Sequence, residues 1–337
     1  LTMQNWGLDY GDLQNFGNIK FNSSALADAS GTESGSIHLQ GRNISIREGS
    51  KAFIQSQSLE SGGKIEVNAT ELIEVVGVNS SNINYSISGL FTETINTGNA
   101  AQIEISSADL RVSQGAGIMT RTFNTGQGGD IKVNTFKSLE ITESSSINPL
   151  NSSGIMTLSY GKGAAGDIRV STEELLMIDR FISSTIYGIG NGGDISVSAE
   201  KLTLLDGAAI SSVTSQLGKG GDVKIDAQSI ELTGLNLQSF TPSTLTAATI
   251  GSANAGNLIV NTGSLIVQDG GRVDSSTLAS GNSGSVTINA TDFVEVSGTV
   301  PGSINPSLII SSANIVDESF QQFLGISGTP SGDSGNV

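Results

Sequence analysis

The stretch from Gly192 to Thr214 reads GGDISVSAEKLTLLDGAAISSVT and contains one copy of a pattern that recurs along all 337 residues. Copies can be aligned on the first apolar residue after the glycines. The steps between these residues run from 27 to 38, and a step of 28 is the most frequent. The aligned residues are Ile37, Ile65, Ile103, Ile131, Ile168, Ile195, Val223, Leu258 and Val286. A repeat of this length indicates a solenoid, in which each turn packs on its neighbours.

Each repeat contains three short segments in which apolar and polar residues alternate. In the quoted repeat they are Ile195–Val197, Leu202–Leu204 and Ile210–Thr214. Alternation with a period of two predicts β-strands, and the Gly, Asp and Ser residues between them predict turns. No window shows sustained apolar spacing at three and four residues, so helix is nearly absent. The sequence therefore predicts an all-β parallel β-helix with three short strands per turn and nine to ten turns of about 28 residues.

The third segment combines apolar and hydroxyl side chains on one face, as in Ile118, Thr120 and Thr122. If the apolar residue points inward, the hydroxyl groups two and four residues later point inward as well. We expect these hydroxyls to bond to their equivalents in the turns above and below. The alternative is an outward array of threonines of the kind that matches an ice surface.

Charge and composition restrict the partners of the chain. The 32 acidic residues outnumber the 16 basic ones, which gives a net charge of −16 and a pI near 4.3. Nucleic acids and anionic membranes are therefore poor partners. Cysteine is absent, which excludes disulfides and thiolate metal sites. No signal peptide is found, and no apolar run is long enough to span a membrane.

The repeats divide the chain into four parts. Residues 1–34 are irregular and predict an incomplete first turn or a cover for the end of the coil. Residues 35–312 hold the repeats, and residues 313–333 interrupt them with a short predicted helix that ends before Gly325. Residues 334–337 resemble the start of a further turn. We expect the chain to be a piece of a longer repeat protein.

Four turns are longer than the others, and their extra residues fall between the second and third segments. The insertions are Val76–Asn84, Thr142–Ser153, Thr233–Ser243 and Ser297–Pro306. Insertions at one corner of a solenoid project on one side, so we predict a lateral ridge of four loops. One interpretation is that the ridge is a contact surface. The alternative is that this corner tolerates insertions and binds nothing. The candidate contact residues on the ridge and in the interruption are Asn82, Asn148, Pro149, Leu237, Phe240, Pro242, Asn305, Pro306, Phe320 and Phe323.

An aspartate precedes the first segment in four successive turns, at Asp130, Asp167, Asp194 and Asp222. Stacking would bring these carboxylates together, and bound Ca²⁺ would relieve their repulsion. The alternative is that each Asp caps its turn through its own backbone amides. Other turns hold Lys64, Gln102, Asn257 or Ser285 at this position, which a continuous metal ladder would not tolerate. We therefore predict no metal or cofactor, with calcium at these four aspartates as the open alternative.

Parallel β-helices also include polysaccharide lyases and hydrolases, so an enzyme is the alternative reading. Such enzymes need clustered carboxylates beside a basic residue, in a cleft that usually has aromatic platforms for sugar rings. Here the acids are spread one per turn, and the aromatic residues are few and unclustered along the sequence. Lys132, Arg169 and Lys224 follow the first residue of their strands. We expect these cations to soften repulsion between the aspartates and to perform no chemistry.

Two long stretches, GNGGDISVSAEKLTLLDGAAISSVTSQLGKGGDVKIDA and AGNLIVNTGSLIVQDGGRVDSSTLASGNSGSVTINA, resemble the repeats of filamentous-haemagglutinin-like exoproteins. They are most similar to the large cyanobacterial members, as is the interruption ANIVDESFQQFLG. The resemblance covers residues 35–337. It implies a right-handed β-helix that is exported by two-partner secretion through an outer-membrane β-barrel transporter. It also implies a place in adhesion, aggregation or the surface layer, and it transfers no functional residue to this sequence.

The sequence therefore predicts a non-enzymatic, extracellular rod of a secreted cell-surface protein. The rod is expected to display its loops and to associate with copies of itself, with other surface proteins or with glycans.

Overall fold

The computed structural model describes residues 15–79, 86–145, 153–237, 239–300, 302, 306–313 and 331–337. Within these ranges the chain is entirely β-structure and turns, and two large parallel sheets contain most of the strands. No helix suited to crossing a membrane occurs in the described ranges. Most of the interruption predicted at residues 313–333, including its short helix, lies outside the described residues, as does the beginning of the predicted irregular segment.

One sheet, here called the long-strand sheet, takes up the first and second predicted segments of every turn. Its neighbouring strands are parallel, and they are one turn apart in the sequence. The eleven strands found in the described residues are Ile19–Phe21, Ile37–Arg47, Lys64–Val76, Gln102–Ser113, Ile131–Thr142, Ile168–Ser171, Glu174–Ile178, Ile195–Leu205, Val223–Thr233, Leu258–Gln268 and Val286–Ser297.

The other sheet, the short-strand sheet, takes up the third predicted segment. Its neighbours are also parallel and one turn apart, so successive turns stack in both sheets in the same order. The ten strands in the described residues are Leu26–Asp28, Lys51–Ser56, Gly89–Thr94, Gly117–Thr122, Gly154–Ser159, Phe181–Ile186, Ala209–Thr214, Thr244–Thr249, Arg272–Asp274 and Leu308–Ile310. This arrangement is consistent with a solenoid.

The prediction of three short strands per turn was wrong for most turns. The first two segments form one continuous strand, as in Ile195–Leu205, and only the turn of Ile168–Ser171 and Glu174–Ile178 keeps them apart. The polar residues between the segments do not stop the pairing. In several turns they form a register shift, for example between Thr135 and Ser138, and a bulge of this kind bends a strand without ending it.

Apolar residues that alternate along each strand point between the two sheets and form the core. In the quoted turn, Ile195, Val197, Leu202 and Leu204 are fully buried. Because consecutive turns pair in register, these side chains stack in columns of Ile, Leu and Val from Ile37 to Val286. In the last long strand Phe293, Val294 and Val296 are exposed. Burial of each such side chain contributes about 1.5 to 3 kcal/mol, so stability depends on how many turns stack.

The hydroxyl groups of the short-strand sheet also point inward, and the structure contradicts the outward, ice-matching alternative. Thr120 and Thr122 are fully buried. Their main partners are backbone carbonyls at the next corner, since Thr120 Oγ1 donates to Gly129 O at 2.8 Å and Thr122 Oγ1 to Gly126 O at 2.6 Å. The expected hydroxyl-to-hydroxyl bond between turns occurs at Thr214 and Thr249, 3.2 Å apart. These bonds satisfy buried hydroxyls and fasten the glycine-rich corners.

The first described strands belong to an incomplete turn. Ile19–Phe21 pairs with Ile44–Ile46, which is the back half of the next long strand. This pairing explains why Ile19 precedes Ile37 by much less than one repeat. At the other end, Val286 N donates to Asn336 O at 2.9 Å, the bond that Leu258 N makes with Ser285 O one turn earlier.

Candidate functional site

The four insertions leave the stack at the same corner, between a long strand and the short strand that follows it. The described bases of three insertions are antiparallel pairs: Val78–Asn79 with Ser86–Ile87, Leu235 with Pro242, and Thr299 with Pro306. The base of the fourth follows the strand that ends at Thr142 and closes at Ser153. Because the turns stack in register, the insertions lie along one edge of the stack. We call this edge the loop ridge.

Turns without an insertion cross this corner with left-handed backbone conformations. Asp206 and Gly207 have φ angles of 54° and 99°, and the pairs Glu48–Gly49, Gln114–Gly115 and Asp269–Gly270 repeat this pattern. Two successive left-handed residues produce a tight turn of type I′, in which glycine is favoured. Turns with an insertion have only the first of these two left-handed residues. This residue is Gly77, Glu143, Gly234 or Gly298. Each insertion therefore begins where a short turn would close.

A buried serine ends each insertion and fastens it to the preceding turn. Ser243 Oγ accepts a hydrogen bond from Gly207 N at 3.0 Å and donates one to Thr233 O at 2.6 Å. In the other three long turns the serine at the same position also accepts a hydrogen bond from the backbone N–H of a corner glycine, at 2.8 to 3.0 Å. The pairs are Ser88 with Gly49, Ser153 with Gly115 and Ser307 with Gly270. We call these four residues the serine clamps, and the sequence analysis missed them. Their signal is a Ser before the short strand in long turns, where several short turns have Ala or Gly.

Glycine at the short corner also gives the insertion of the next turn room to pack. A Cβ atom at Gly207 would lie 2.7 Å from Asn236 Cβ, and one at Gly49 would lie 2.7 Å from Asn79 Cβ. Both distances are too short for carbon atoms that are not bonded. The bases of these insertions consequently rest directly on the backbone of the turn before.

Two insertions of the ridge flank a cleft of about 630 Å³. They are the insertions after Thr142 and after Thr233, and two short turns lie between them. The floor and walls combine acidic residues with apolar ones. The lining residues are Glu140, Thr142, Glu143, Ile178, Asp179, Arg180, Asp206, Leu235, Asn236 and Leu237.

Acidic side chains dominate the electrostatics of the cleft. Arg180 is its cation; its side chain is only 6% exposed, and Nη2 lies 3.0 Å from Asp179 Oδ2. Burial lowers the pKa of Arg180, while the charges of Asp179 and Glu143 act in the opposite direction. An arginine stays protonated at neutral pH under such conditions. Glu140 pairs with Arg111 outside the cleft at 3.4 Å.

Arg180 occupies an unusual position in the repeat. Its turn is one residue shorter at this corner, because Asp179-Arg180-Phe181 stands where the next turn has Asp206-Gly207-Ala208-Ala209. Arg180 therefore replaces the buried Ala208, and a charged side chain enters a column of small residues. Sequence reasoning did not assign it a role, although the step of 27 residues and the missing glycine mark this turn as different.

Four of the ten predicted contact residues lie in the described part of the chain. Leu237 lines the cleft and is 70% exposed, and Phe240, with a left-handed φ of 57°, is 76% exposed. Pro242 and Pro306 belong to the antiparallel bases of their insertions. Asn82, Asn148, Pro149, Asn305, Phe320 and Phe323 lie outside the described residues.

The aspartates that precede the first strands form a ladder, but not by capping their own turns. Each Oδ1 accepts a hydrogen bond from the backbone N–H of the equivalent residue one turn later: Asp130 from Asp167 at 2.9 Å, Asp167 from Asp194 at 2.9 Å, and Asp194 from Asp222 at 2.8 Å. Asp222 accepts from Asn257 N at 2.7 Å. The expected capping through the residue's own amides was wrong, because the next turn brings a free amide within reach of each carboxylate.

Neighbouring cations reduce the repulsion between two of these carboxylates. Arg169 lies 2.7 Å from Asp167 and 3.5 Å from Asp130, as expected from its position. Lys224 pairs instead with Asp226 at 2.9 Å. Across the residues that the structure describes, no group of three or more His, Cys, Asp or Glu side chains is arranged to hold a metal ion.

Aromatic residues cluster more than their scatter along the sequence suggests. Phe123, Tyr160 and Tyr187 follow three successive short strands and stack on one another at the surface. Both pairs of ring centroids are 5.2 Å apart, with interplanar angles of 7° and 13°. The ring of Tyr160 is stacked on both faces, whereas Phe123 and Tyr187 each stack through one face.

No protein-family model, no curated protein and no solved structure matches this chain in sequence or structure comparisons.

Proposed function

We propose that the chain is a non-enzymatic structural and adhesive segment of a secreted cell-surface protein, a rigid rod that presents the loop ridge to other molecules. The observation that carries the proposal is the confinement of four insertions to one corner, each fastened there by a serine clamp. The remaining corners repeat closely and are held by ladders of hydrogen bonds. Variable loops along one edge of a regular stack suit a scaffold that displays a binding surface.

We further infer that the two sheets wind as a right-handed parallel β-helix. Crossovers between parallel strands of one sheet are right-handed in about 98% of cases. The resemblance of the repeats to filamentous-haemagglutinin-like exoproteins supports the same winding. Such a coil keeps the loops of the ridge at a fixed spacing, because each turn is paired on both sides with its neighbours.

Export through an outer-membrane β-barrel transporter fits the chemistry of the chain. The protein passes such a pore unfolded, and a chain without cysteine forms no disulfide that would obstruct passage. Each turn pairs only with its neighbours, so turns that emerge can stack one after another. The proposed location is the outer surface of the cell. The proposed partners are further copies, other surface proteins or glycans, and the charge of −16 disfavours nucleic acid.

The test measures binding by the loop ridge. The labelled chain is applied to a glycan array, and its self-association is measured by analytical ultracentrifugation. A double variant, Leu237→Asp with Phe240→Asp, places charge on two exposed residues of one loop. Leu217→Asp is the matched control, because Leu217 is equally exposed but lies at the glycine-rich corner.

We expect binding to a glycan or to a second copy to fall at least tenfold in the double variant and to stay unchanged in the control. An equal loss of binding in the double variant and in Leu217→Asp would show that binding depends on general surface hydrophobicity and not on the loop ridge. Absence of binding to either probe at micromolar concentration would contradict adhesion through glycans and through self-association.

A polysaccharide-cleaving enzyme is the second candidate, and the cleft is the observation that favours it. Glu140, Glu143, Asp179 and Asp206 line one recess together with Arg180. Glycosidases use two such carboxylates, one as the acid and one as the nucleophile or base. Release of reducing or unsaturated ends from a polysaccharide panel, abolished in Glu143→Gln, would replace the rod proposal by this one.

A further inference from the structure

We propose that Tyr160 and Tyr187 form an oxidative crosslinking site, in which a one-electron oxidant joins the two phenol rings into a dityrosine. The residues directly follow two paired strands, whose last residues Ser159 and Ile186 are partners. Their rings are stacked with centroids 5.2 Å apart and planes 13° from parallel. The two rings are therefore adjacent before any reaction occurs.

The backbone holds the two tyrosines in this position. Tyr187 N donates to Ser159 O at 2.8 Å, and Tyr160 N donates to Thr122 O at 2.9 Å. Both side chains leave neighbouring strands at the same register, so they point the same way. Phe123, one turn earlier, stacks on the other face of Tyr160. Radicals formed on Tyr160 and Tyr187 would consequently meet each other before they meet another molecule.

Both rings are accessible to an oxidant, since Tyr160 is 45% exposed and Tyr187 is 51% exposed. Hydrogen peroxide acting through a haem peroxidase is a suitable oxidant. Each phenol loses one electron and one proton, and peroxide takes up both electrons and both protons to become two molecules of water. The two radicals form one carbon–carbon bond between ring positions ortho to the oxygens. Each ring then moves its ortho hydrogen to the oxygen and becomes a phenol again.

This crosslink would give the chain a covalent connection between adjacent turns. Cysteine is absent, so no disulfide can supply one. Only four tyrosines are present, and the other two, Tyr10 and Tyr85, lie outside the described residues. The small number of tyrosines makes the assignment of any dityrosine straightforward.

The experiment treats the purified chain with peroxidase and hydrogen peroxide at low protein concentration. We expect dityrosine fluorescence in the monomer band of a denaturing gel, a loss of two hydrogen atoms in the intact mass, and one crosslinked peptide pair containing Tyr160 and Tyr187. Tyr160→Phe and Tyr187→Phe keep a stacked ring and should each abolish the monomer signal. Circular dichroism checks that both variants fold as wild type does.

Tyr10→Phe with Tyr85→Phe is the matched control, and it should crosslink as wild type does. Monomer dityrosine that survives in Tyr160→Phe or Tyr187→Phe would overturn the proposal, and so would its loss in the control. Failure of wild type to form dityrosine, or formation only between molecules, would overturn it as well.

Discussion

The serine clamp at Ser243 provides a sharp test of how the loop ridge is held. Ser243→Ala removes a fully buried hydroxyl that accepts from Gly207 N at 3.0 Å and donates to Thr233 O at 2.6 Å. The variant leaves the buried Gly207 amide without this partner, whereas Thr233 O keeps the hydrogen bond that Asp206 N donates at 3.0 Å. An unsatisfied buried group costs about 1 to 3 kcal/mol. Since the Gly207 amide is the one group left unsatisfied, we expect a destabilisation of about 1 to 3 kcal/mol.

Hydrogen exchange at the Gly207 amide is the most direct measurement. In a stack of repeats, turns can unfold separately, so a single global unfolding energy is less informative than a local one. A loss of about 2 kcal/mol corresponds to roughly 30-fold faster exchange, since each 1.4 kcal/mol is a factor of ten. Urea unfolding followed by circular dichroism should show an earlier transition for the same variant.

Ser239→Ala is the matched control, because Ser239 is exposed and belongs to the same insertion. Its hydroxyl bonds only to Thr241 at the surface, so its removal should change neither exchange at Gly207 nor the urea transition. Unchanged exchange at Gly207 in Ser243→Ala would refute the clamp. Equal effects of the two variants would refute it too.

Four further predictions concern the glycine-rich corners and the long strand Lys64–Val76. Gly193→Ala would place a Cβ atom 2.0 Å from a carbonyl oxygen of the preceding turn. We expect urea unfolding to show that this variant is less stable than wild type by at least about 3 kcal/mol. Gly17→Ala is the control and should not change the stability, because a Cβ atom there would have nothing within 4 Å. Asp194→Ala removes the acceptor of an amide in the next turn and should cost about 0.5 to 1.5 kcal/mol, while Asp194→Asn keeps an acceptor and the stability. A chelator should not change the melting temperature of wild type or of these variants. A rise of several degrees in the melting temperature with added Ca²⁺ would support calcium binding at the aspartates. The hydrogen bond from Lys64 holds the pKa of Glu66 below its usual range. The ionised Glu66 therefore stabilises the fold at pH values above the ordinary pKa of a carboxyl group. This stabilisation is lost as the pH falls through the lowered pKa of Glu66. Both side chains are partly exposed, so the effect is about 1 kcal/mol at most. In Glu66→Gln the melting temperature should change slightly less between pH 3 and 7 than it does in wild type. An unchanged pH dependence of the melting temperature would contradict the role of Glu66.

Several features of the fold followed from local sequence pattern. Alternation in segments such as Ile210–Thr214 predicted strands and their inward faces, because side chains alternate between the two faces of any strand. The inward hydroxyls of Thr120 and Thr122 followed from the same rule. The corner that receives the insertions was also visible, because each insertion lengthens the interval between two recognisable segments.

Local pattern did not reveal what neighbouring turns do to each other. The polar residues inside Ile195–Leu205 resembled a break, yet one strand runs through them, and its pairing with the following turn includes both Ala199 and Lys201. Asp194 resembled a local cap, yet the amide it accepts belongs to the next turn. The serine clamps were missed for the same reason, since Ser243 and Gly207 are distant in the sequence.

The sequence by itself determined the repeat, the all-β character, the inward and outward faces and the corner with insertions. Each of these depends on residues within one turn. The tertiary structure decided the continuous long strands, the cleft around Arg180 and the stack of Phe123, Tyr160 and Tyr187. These depend on the register between turns, and insertions make the sequence distance between equivalent residues vary from 27 to 38. Residues that meet in one column therefore have no constant spacing along the chain, and only the pairing of the strands brings them together.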